Sequence, residues 1–240
     1  MARREDPRSA PCEADGWRRD LRPVTRTRDE ARAAYDRASR WYDLLEEPLE
    51  RRPRWVGLGL LAAQPGERVL EVGCGPGMAL VELGRAVGPS GRVAGVDLSP
   101  AMVGRAQARL ARAGLSDHVV VRVADALRLP WPDGSFDALF AAFVLELFDT
   151  PEIPAALGEW RRVLRPDGRI AVVSLSRAAP VRRPTRLYER LHDRFPAALD
   201  CRPIHPGRAL EAAGFRIERR LMVPLFGLRA EAVLARPRTG

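Results

Sequence analysis

A short apolar stretch that breaks into glycines constrains the fold of this chain more than any other feature. The run from Val69 to Val72 is typical of a buried strand, and glycine then occupies every second position as far as Gly77. Glycine lets the backbone turn sharply and leaves no Cβ between the chain and a ligand, while Pro76 stiffens the loop. Because a strand that leads through such a loop into a helix is typical of nucleotide-binding proteins, we expect a nucleotide-like ligand here.

Strands and helices alternate from Glu67 onwards, and this alternation predicts an α/β fold. The predicted strands are Arg68–Gly73, Arg92–Asp97, Val119–Ala124, Phe136–Phe140 and Arg169–Leu175. The predicted helices between them are Met78–Val87, Pro100–Ala113 and Glu152–Leu164. Ser99 is expected to cap the second of these helices and Gly114 to end it. The pattern predicts a Rossmann-like, doubly wound and mostly parallel sheet with helices on both faces.

The last part of the chain predicts an antiparallel edge. A helix is expected over Pro206–Ala213, closed by Gly214. The strands expected over Arg216–Val223 and Leu228–Ala235 are joined too closely for a parallel crossover, so we expect a hairpin at the edge of the sheet. The segment Leu164–Arg169 is expected to form a turn that leads into the fifth strand.

The length of 240 residues, of which 46% are hydrophobic, predicts one large domain. Residues 1–28 are rich in Arg, Asp and Pro and are expected to form a mobile tail ahead of a single domain over 29–240. That domain is expected to comprise a helical cap (29–64), a ligand-binding core (65–176), a substrate-binding or lid insertion (177–208), and a final helix with the edge hairpin (209–240). A helix over Pro53–Ala63 is expected to close the cap.

The charge of the chain has two interpretations. Its formal net charge is +9, as in many nucleic-acid-binding proteins. All forty basic residues are Arg, however, and the chain contains no Lys and no Asn. This avoidance is typical of GC-rich coding sequences, and the arginines alternate with Asp and Glu along most of the chain. We therefore regard nucleic acid as a less favoured partner.

Cysteine and histidine are too few and too scattered to indicate a metal site. They form no CxxC pair and lie in separate segments, at Cys12, Cys74, Cys201, His118, His192 and His205. We therefore expect no bound metal. The small number of cysteines, with no secretory segment and no apolar run long enough to span a bilayer, predicts a cytoplasmic protein.

Two carboxylates at strand ends narrow the class of ligand. Asp97 ends the second strand, where a carboxylate can accept hydrogen bonds from both ribose hydroxyls of an adenosine. Asp125 follows the third strand, where it can accept a hydrogen bond from the adenine amine. Met78 occupies the last position of a G-x-G-x-x-G fingerprint, so the loop suits a ligand without a pyrophosphate. A nicotinamide-dependent dehydrogenase, which uses an acidic residue similarly, is a distant alternative.

Four motifs, in order along the chain, resemble those of class I S-adenosylmethionine-dependent methyltransferases. They are Glu71–Gly77, Val96–Met102, Ala124–Ala126 and Arg162–Gly168. The likeness extends over Gly66–Leu175, and the helical pattern around Tyr42 is similar to the cap of the methyltransferase type 11 group, which contains the ubiquinone and menaquinone C-methyltransferases. The resemblance implies a seven-stranded sheet with an antiparallel C-terminal hairpin, and S-adenosyl-L-methionine as the cofactor.

The resemblance also implies a set of cofactor contacts. Glu71 is expected at the methionine end, Asp97 at the ribose and Asp125 at the edge of the adenine. The whole implied set is Tyr42, Glu71, Gly73, Cys74, Gly75, Gly77, Asp97, Leu98, Met102, Asp125, Ala126 and Phe143. Structural roles are open for three of these residues: Tyr42 as a core aromatic, Cys74 as a loop filler and Asp97 as a cap of the next helix.

The sequence does not identify a catalytic residue. Methyl transfer from a sulfonium is an in-line displacement, which needs alignment and the exclusion of water, and a base only if the acceptor must lose a proton. The candidates for such a base are Glu146, which lies in an apolar run, and His205. Glu146 is equally consistent with a carboxylate that faces solvent, and His205 with an ordinary surface residue.

The leading hypothesis is a methyltransferase that acts on a small or lipophilic acceptor, such as a quinol-type ring carbon or an amine of a lipid or small molecule. The cap and the insertion are expected to select the acceptor. The insertion contains aromatic residues and the arginines Arg182, Arg183, Arg186, Arg190, Arg194 and Arg202. This combination suits an amphiphile or peripheral contact with a membrane, and it is equally consistent with a solvated basic face.

Two alternatives stay open. The first is an RNA or protein methyltransferase that uses the basic surface. Against it, residues 141–144 lack the Asn/Asp-Pro-Pro-aromatic tetrapeptide that is common in N-methylating nucleic-acid enzymes. The second is a non-catalytic scaffold that binds S-adenosylmethionine. The sequence does not indicate an oligomeric state.

Overall fold

Seven strands form one mixed sheet in the described part of the chain. The structure, a computed structural model, describes residues 16–18, 21, 47–177, 183–194, 201–225 and 227–238. The strands are β1 (Arg68–Val72), β2 (Arg92–Asp97), β3 (Val119–Val123), β4 (Phe136–Ala142), β5 (Leu164–Leu175), β6 (Phe215–Leu225) and β7 (Leu228–Pro237). Their order is β3-β2-β1-β4-β5-β7-β6, with β1 to β5 parallel and β7 antiparallel to β5 and β6. The predicted doubly wound sheet and its edge hairpin are confirmed.

Six α-helices lie within the described residues. They are α1 (Glu47–Leu61), α2 (Met78–Val87), α3 (Pro100–Arg112), α4 (Ile153–Val163), α5 (Arg183–Arg194) and α6 (Pro206–Ala212). The prediction is confirmed at both ends of α2 and to within one residue at the ends of α3, α4 and α6. Ser99 caps α3 as predicted, because its Oγ accepts a hydrogen bond from the Met102 N–H at 3.1 Å. No helix in these described segments is both long and apolar enough to cross a membrane.

The helix that precedes the sheet is longer than predicted. The prediction of a helix over Pro53–Ala63 is wrong at both ends, because α1 begins at Glu47 and ends at Leu61. Pro53 therefore lies inside the helix, where its missing N–H removes one backbone hydrogen bond. The error arose because proline is common in the first turn of a helix, and the residues ahead of Pro53 show no apolar periodicity that would extend it.

Two apolar clusters lie on the two faces of the sheet. The first joins α1, α2 and α3 to the strands, and the second joins α4 and α6 to the strands around the buried Trp160. α1 crosses the first face closely at Gly57, where a Cβ would lie 2.3 Å from a valine methyl of β5. Val69 belongs to the first cluster and Leu70 to the second, as the alternation of a strand requires. Glu71 has the same parity as Val69, so its side chain points to the α1 face.

The connection between β3 and β4 is held by a residue of α4. Residues 124–135 are all described and contain no helix. Arg162 donates hydrogen bonds to the carbonyl oxygens of Leu129 at 3.2 Å and Trp131 at 2.8 Å. Glu159 accepts two hydrogen bonds from the same guanidinium at 2.8 Å, which orients it. The predicted turn before β4 is confirmed, but no sequence pattern indicated that Arg162 stabilises it.

The turn predicted over Leu164–Arg169 is a bulge within β5 instead of a break before it. Leu164 pairs with Phe136, and Arg169 pairs with Ala138. Four residues of β5 therefore lie opposite a single residue of β4, so they leave the regular register.

Arg169 joins the end of α1 to the start of the sheet. Its Nε donates to the Leu61 carbonyl at 2.6 Å and its Nη2 to the Ala62 carbonyl at 2.9 Å. Both carboxylate oxygens of Glu67 accept from the same guanidinium at 2.7 Å. Burial alone would raise the pKa of Glu67, but the hydrogen bonds from Arg169 and from a backbone N–H hold it below its ordinary value. These contacts satisfy carbonyl groups that a helix end leaves unpaired.

Most of the predicted tail and cap lies outside the described residues, as does Tyr42. Within the predicted tail, a turn of 3-10 helix over Gly16–Arg18 buries Trp17 in the second apolar cluster. The burial of the Trp17 indole is not what we would expect of a mobile tail at this turn. The insertion predicted over 177–208 is described only at 177, 183–194 and 201–208, so the predicted segment bounds stay predictions.

We expect Arg169→Ala to lower the free energy of unfolding by about 2–3 kcal/mol, because it removes a largely buried ion pair and two hydrogen bonds to the helix end. Arg85→Ala is the matched control. Arg85 also pairs with a glutamate, Glu82, but its side chain is 61% exposed, so its loss costs less than about 1 kcal/mol. Urea denaturation followed by circular dichroism measures both variants. Equal losses would contradict the role given to Arg169.

Candidate functional site

Three glycines shape the loop after β1, where the strand order reverses between β1 and β4. Gly73, Gly75 and Gly77 have φ angles of 65°, 49° and 83°, which other residues rarely adopt. A Cβ on Gly73 would lie 2.2 Å from the Val144 Cγ2, and one on Gly77 would lie 2.9 Å from the Ala106 Cβ. A Cβ on Gly75 would meet nothing within 4 Å. Close packing therefore requires the first and last glycines, and Gly75 borders open space at the switch point where such folds bind ligands.

Asp97 holds this loop to the end of β2. Its Oδ2 accepts a hydrogen bond from the Gly75 N–H at 2.8 Å, and its Oδ1 accepts one from the Ser99 N–H at 2.9 Å. The Cys74 N–H donates to the Val96 carbonyl at 2.9 Å and adds a second contact between the loop and β2. Asp97 therefore holds the residue that caps α3, whereas the cap itself, a role predicted as an alternative for Asp97, is Ser99. Each carboxylate oxygen has a second lone pair, so the same group can also accept a hydrogen bond from a ligand hydroxyl.

A hollow lies beside the turn that follows β3. The Asp125 Oδ1 accepts a hydrogen bond from the Leu127 N–H at 2.9 Å, which fixes the turn. The hollow has a volume of about 550 Å³ and is lined by Val123, Ala124, Asp125, Leu127, Arg128 and Pro130. The Ala126 carbonyl instead accepts a hydrogen bond from the Trp160 indole at 3.0 Å, on the α4 side. Asp125, which was expected beside the adenine, thus lines the hollow. The Ala126 carbonyl already accepts the hydrogen bond from Trp160.

The two apolar residues expected beside an adenine differ in exposure. Leu98 is half-buried and offers part of its side chain to a neighbour. Met102 is only 1% exposed, because it belongs to the buried face of α3. Met102 therefore belongs to the packing beneath the site, and its contact with a ligand stays a prediction.

Glu71 is a buried carboxyl group with an unmade hydrogen bond. Its side chain is 4% exposed, and its Oε2 has no hydrogen-bond partner among the described residues. Burial raises its pKa well above the ordinary value of 4.5, the nearby charge of Arg54 opposes this rise, and Asp97 adds to it. Arg54 lies on α1 and pairs with Glu50 at 2.6 Å. An unsatisfied carboxyl oxygen is costly to bury, so the position suits a ligand group that can donate a hydrogen bond.

Cys74 lies inside the loop as a space-filling residue. Its thiol is buried in the first apolar cluster. Burial raises the pKa of the thiol well above its ordinary value, and the neighbouring Glu71 and Asp97 raise it further. The thiolate that a nucleophile would need is therefore disfavoured, in agreement with the predicted role as a loop filler.

Phe143 adopts a strained backbone conformation where β4 ends. Its φ is 58°, which is costly for a residue with a Cβ, by about 1 kcal/mol or more. The Phe143 N–H donates to the Val173 carbonyl at 2.7 Å, and its ring is buried in the first cluster. These contacts force the turn that brings Val144 against Gly73. The strained residue therefore closes one wall of the glycine loop.

Glu146 and Arg202 are both buried, which corrects two expectations. Glu146 is fully buried, so the expectation of a carboxylate that faces solvent is wrong; its Oε1 accepts a hydrogen bond from the Leu175 N–H at 3.0 Å. Arg202 is 1% exposed and donates to the Phe148 carbonyl at 2.6 Å and the Thr150 hydroxyl at 2.9 Å. Burial lowers the pKa of Arg202, and nearby carboxylates oppose this. Arg202 is therefore part of the interior and not of a basic surface.

The other expected catalytic candidate, His205, begins α6. It is half-buried, and its carbonyl accepts the Ala209 N–H at 2.9 Å. The preceding residue, Ile204, pairs with Ser176 just after β5. His205 thus lies next to the residue that pairs with the end of β5. Among these residues no cluster of three His, Cys, Asp or Glu could hold a metal ion.

Comparison with known families supports the interpretation of this site. A family model described as a methyltransferase domain matches residues 69–168, which contain the glycine loop, Asp97 and Asp125. Nocamycin O-methyltransferase of Saccharothrix syringae is 41% identical over 115 residues, which are 48% of this chain and 40% of that protein. The 2-phytyl-1,4-naphtoquinone methyltransferase of Trichormus variabilis is 33% identical over 158 residues, which are 62% of this chain and 66% of that protein. The chain thus spans two fifths to two thirds of these curated relatives.

Solved structures share the fold over most of the chain. The [4+2]-cyclase SpnF superimposes with a TM-score of 0.72 at 20% identity and covers 91% of this chain and 98% of its own. A SAM-dependent methyltransferase from Aquifex aeolicus gives a TM-score of 0.62 at 24% identity, with 83% of this chain and 97% of its own covered. At these identities the likeness concerns the fold alone.

We expect Glu71→Gln to stabilise the protein in the absence of ligand at alkaline pH. A carboxyl group whose folded pKa is raised contributes nothing below its unfolded pKa of about 4.5, and it destabilises the fold increasingly as the pH rises towards the folded pKa. The free energy of unfolding of the variant should therefore exceed that of the wild type by at least about 1 kcal/mol at alkaline pH, with the difference vanishing near pH 4.5.

Urea denaturation across this pH range measures the effect. Glu82→Gln, at a partly exposed glutamate of α2, is the control and should change the free energy of unfolding little at any pH. A Glu71→Gln variant that loses stability at alkaline pH would show that Glu71 is ionised and satisfied in the folded protein, contrary to its burial.

Proposed function

Because the chain contains a class I S-adenosylmethionine-dependent methyltransferase domain, we propose that the protein transfers the methyl group of S-adenosylmethionine to a small, lipophilic acceptor. The observation that carries the proposal is the set of chemically different groups around one loop. These groups lie around the switch point of the sheet and are Glu71, Gly75 and Asp97. Glu71 would face the methionine portion of the ligand, Gly75 would let the ligand approach the backbone, and Asp97 would face the ribose. The hollow beside Asp125 continues this line towards the edge of the sheet.

The residues present fit S-adenosylmethionine. The unmatched Glu71 Oε2 suits the ammonium group of the methionine portion, which is a strong hydrogen-bond donor. The Asp97 carboxylate, at the end of β2, suits the ribose because a carboxylate accepts hydrogen bonds from hydroxyls, and the open space beside Gly75 lets the ligand approach the backbone. Asp125 and Leu98 would bind the adenine. A sulfonium cofactor supplies an activated methyl group, so the remaining work of the protein is to bind and align.

Alignment depends on the wall that Phe143 and Val144 form. Since the strained Phe143 is held by the Val173 carbonyl, the wall is set before a ligand arrives. Apolar side chains on this wall exclude water from the line between donor and acceptor. An acceptor that must lose a proton would need a base, and the buried Glu146 lies three residues beyond Phe143. The cap, which contains Tyr42, and the insertion over 177–208 would select the acceptor.

A small acceptor is favoured over RNA or protein because several of the described arginines are already paired with carboxylates. Among the described residues, arginines in ion pairs with carboxylates include Arg54, Arg162, Arg169, Arg177, Arg220 and Arg236. Paired guanidinium groups offer less to phosphates than their number suggests. The relatives named as a nocamycin O-methyltransferase and a 2-phytyl-1,4-naphtoquinone methyltransferase support a small acceptor. A quinol-type ring and a small-molecule or lipid amine are the acceptors we favour.

Calorimetric titration tests the cofactor, and label transfer tests the reaction. We expect heat from S-adenosylmethionine and from its demethylated product, and none from NAD, because the loop suits a ligand without a pyrophosphate. We further expect transfer of a labelled methyl group to quinols or to small-molecule or lipid amines and not to total RNA. Binding of the cofactor with no transfer to any quinol, lipid, amine, RNA or protein would favour a scaffold instead of an enzyme.

We expect Asp97→Ala to weaken binding of S-adenosylmethionine about 100-fold, because it removes charge-assisted hydrogen bonds to the ligand and the bond that holds Gly75. Asp117→Ala, at an exposed aspartate before β3, is the control and should bind as the wild type does. Calorimetry gives both dissociation constants, and thermal unfolding shows whether the variants are folded. An Asp97→Ala variant that binds the cofactor as tightly as the wild type would remove the ribose assignment.

A further inference from the structure

The helix α5 exposes its leucines and buries its acid, the reverse of an ordinary surface helix. Leu187 is 58% exposed and Leu191 is 42% exposed. Glu189 is buried, and it is the one carboxylate among the side chains of α5 that the structure describes. A helix on the surface of a globular protein normally turns its apolar side chains to the core and its charges to water. The exposed leucines therefore need an explanation.

Polar contacts attach the inner face of α5 to the protein. The Tyr188 hydroxyl donates to the Cys201 carbonyl at 2.8 Å, and its ring packs against the first apolar cluster. The Glu189 carboxylate accepts a hydrogen bond from the Arg177 Nε at 2.6 Å, immediately after β5. Thr185, one turn before Glu189, is buried as well. Because these contacts fix which side of the helix faces inwards, the leucines are turned outwards by the fold and not by chance.

The outer face combines two leucines with arginines at helical spacing. Leu187 and Leu191 are one turn apart, and Arg186, Arg190 and Arg194 form an adjacent row that is also exposed. Glu189 forms an ion pair with Arg177 on the inner side, so the described side chains of the outer face are cationic as well as apolar. We propose that this outer face of α5 binds the surface of an anionic lipid bilayer.

A lipid surface matches both parts of this face. Apolar side chains gain free energy only when they leave water, and the acyl boundary of a bilayer accepts them. Arginine side chains reach from such a helix to lipid phosphates and bind them bidentately. A helix of 12 residues is too short to span a bilayer but long enough to lie on one. A nucleic acid backbone would use the arginines and leave the leucines in water, so it explains only half of the face.

The position of α5 relates the lipid contact to the candidate functional site. The helix follows β5 by way of Arg177, at the carboxyl end of the sheet, which is also the end that carries the glycine loop. A protein held to a bilayer by α5 would present that end of the sheet near the lipid surface, where a lipophilic acceptor is concentrated. This use rests on the proposed function, whereas the binding of lipid does not.

Vesicle co-sedimentation of the full chain tests the proposal without cofactor or acceptor. The wild type should sediment with vesicles made of equal parts phosphatidylcholine and phosphatidylglycerol, less with phosphatidylcholine alone, and less at high salt. The Leu187→Ser/Leu191→Ser variant should bind the mixed vesicles at least about tenfold more weakly. Leu221→Ser/Met222→Ser, at partly exposed apolar residues of β6, is the matched control and should bind as the wild type does.

A second pair of variants separates the charges from the leucines. Arg186→Gln/Arg190→Gln should weaken binding to the mixed vesicles about 30-fold. Arg112→Gln/Arg219→Gln removes the same net charge from exposed residues of α3 and β6 and should have little effect. Unchanged circular dichroism and an unchanged temperature of thermal unfolding confirm that all four variants are folded.

Three results would overturn the proposal. One is a wild type that sediments no better with anionic than with neutral vesicles. Another is an equal loss of vesicle binding in the α5 variants and in their matched controls. The third is binding of duplex RNA that depends on Arg186 and Arg190 but not on the leucines, with no binding to vesicles. None of these results bears on methyl transfer, and a protein that binds vesicles through α5 but transfers no methyl group would leave the lipid surface standing while the proposed function failed.

Discussion

The two backbone hydrogen bonds that Asp97 accepts are the interaction on which the candidate site depends. They join the loop after β1 to the start of α3. They fix the backbone at Gly75 and at Ser99, whose side chain caps α3. A loop of three glycines with positive φ would otherwise be the most mobile part of the domain, since glycine loses most entropy when it is ordered. The Asp97 carboxylate thus fixes the conformation of a loop that would otherwise be flexible. The fixed loop lies between β1 and β4, where the strand order reverses.

A buried carboxyl group with an incomplete set of hydrogen-bond partners lies next to this loop. Glu71 sits under α1 with a raised pKa and one unmatched oxygen, beside Arg54, which is committed to Glu50. Such an arrangement is unfavourable for the protein alone and becomes favourable when a cationic group arrives. Phe143 adds a second local cost through its backbone. Costs of this kind gather where a fold is shaped for a ligand more than for its own stability, and both lie next to the glycine loop.

Local signals in the sequence predicted the elements well, and contacts distant along the chain were the ones missed. Alternating apolar runs, Ser99 as a cap and Gly114 as a stop were sufficient for the sheet and for α3, because each depends on neighbours in sequence. No sequence pattern indicated that Arg162, Arg169 and Arg202 are structural residues, since the carbonyl groups that they bind lie many positions away. The sequence also left open whether Glu146 faces solvent, because composition indicates that a residue is polar, but only packing decides what surrounds it. The start of α1 was missed because Pro53 imitates a first-turn residue.

The exclusive use of arginine has a consequence for how this fold responds to its surroundings. The described ion pairs between separate segments at Arg162, Arg169 and Arg177 each have a guanidinium as their cationic member. A guanidinium does not lose its proton under conditions in which proteins fold, whereas an ammonium would begin to do so in alkaline solution. The acid side of the pH scale therefore controls these contacts, through their carboxylates alone. The chain also contains no lysine, which is the side chain that acetylation and ubiquitination modify. These two modifications therefore have no lysine side chain here through which to change the charge or the lifetime of the protein.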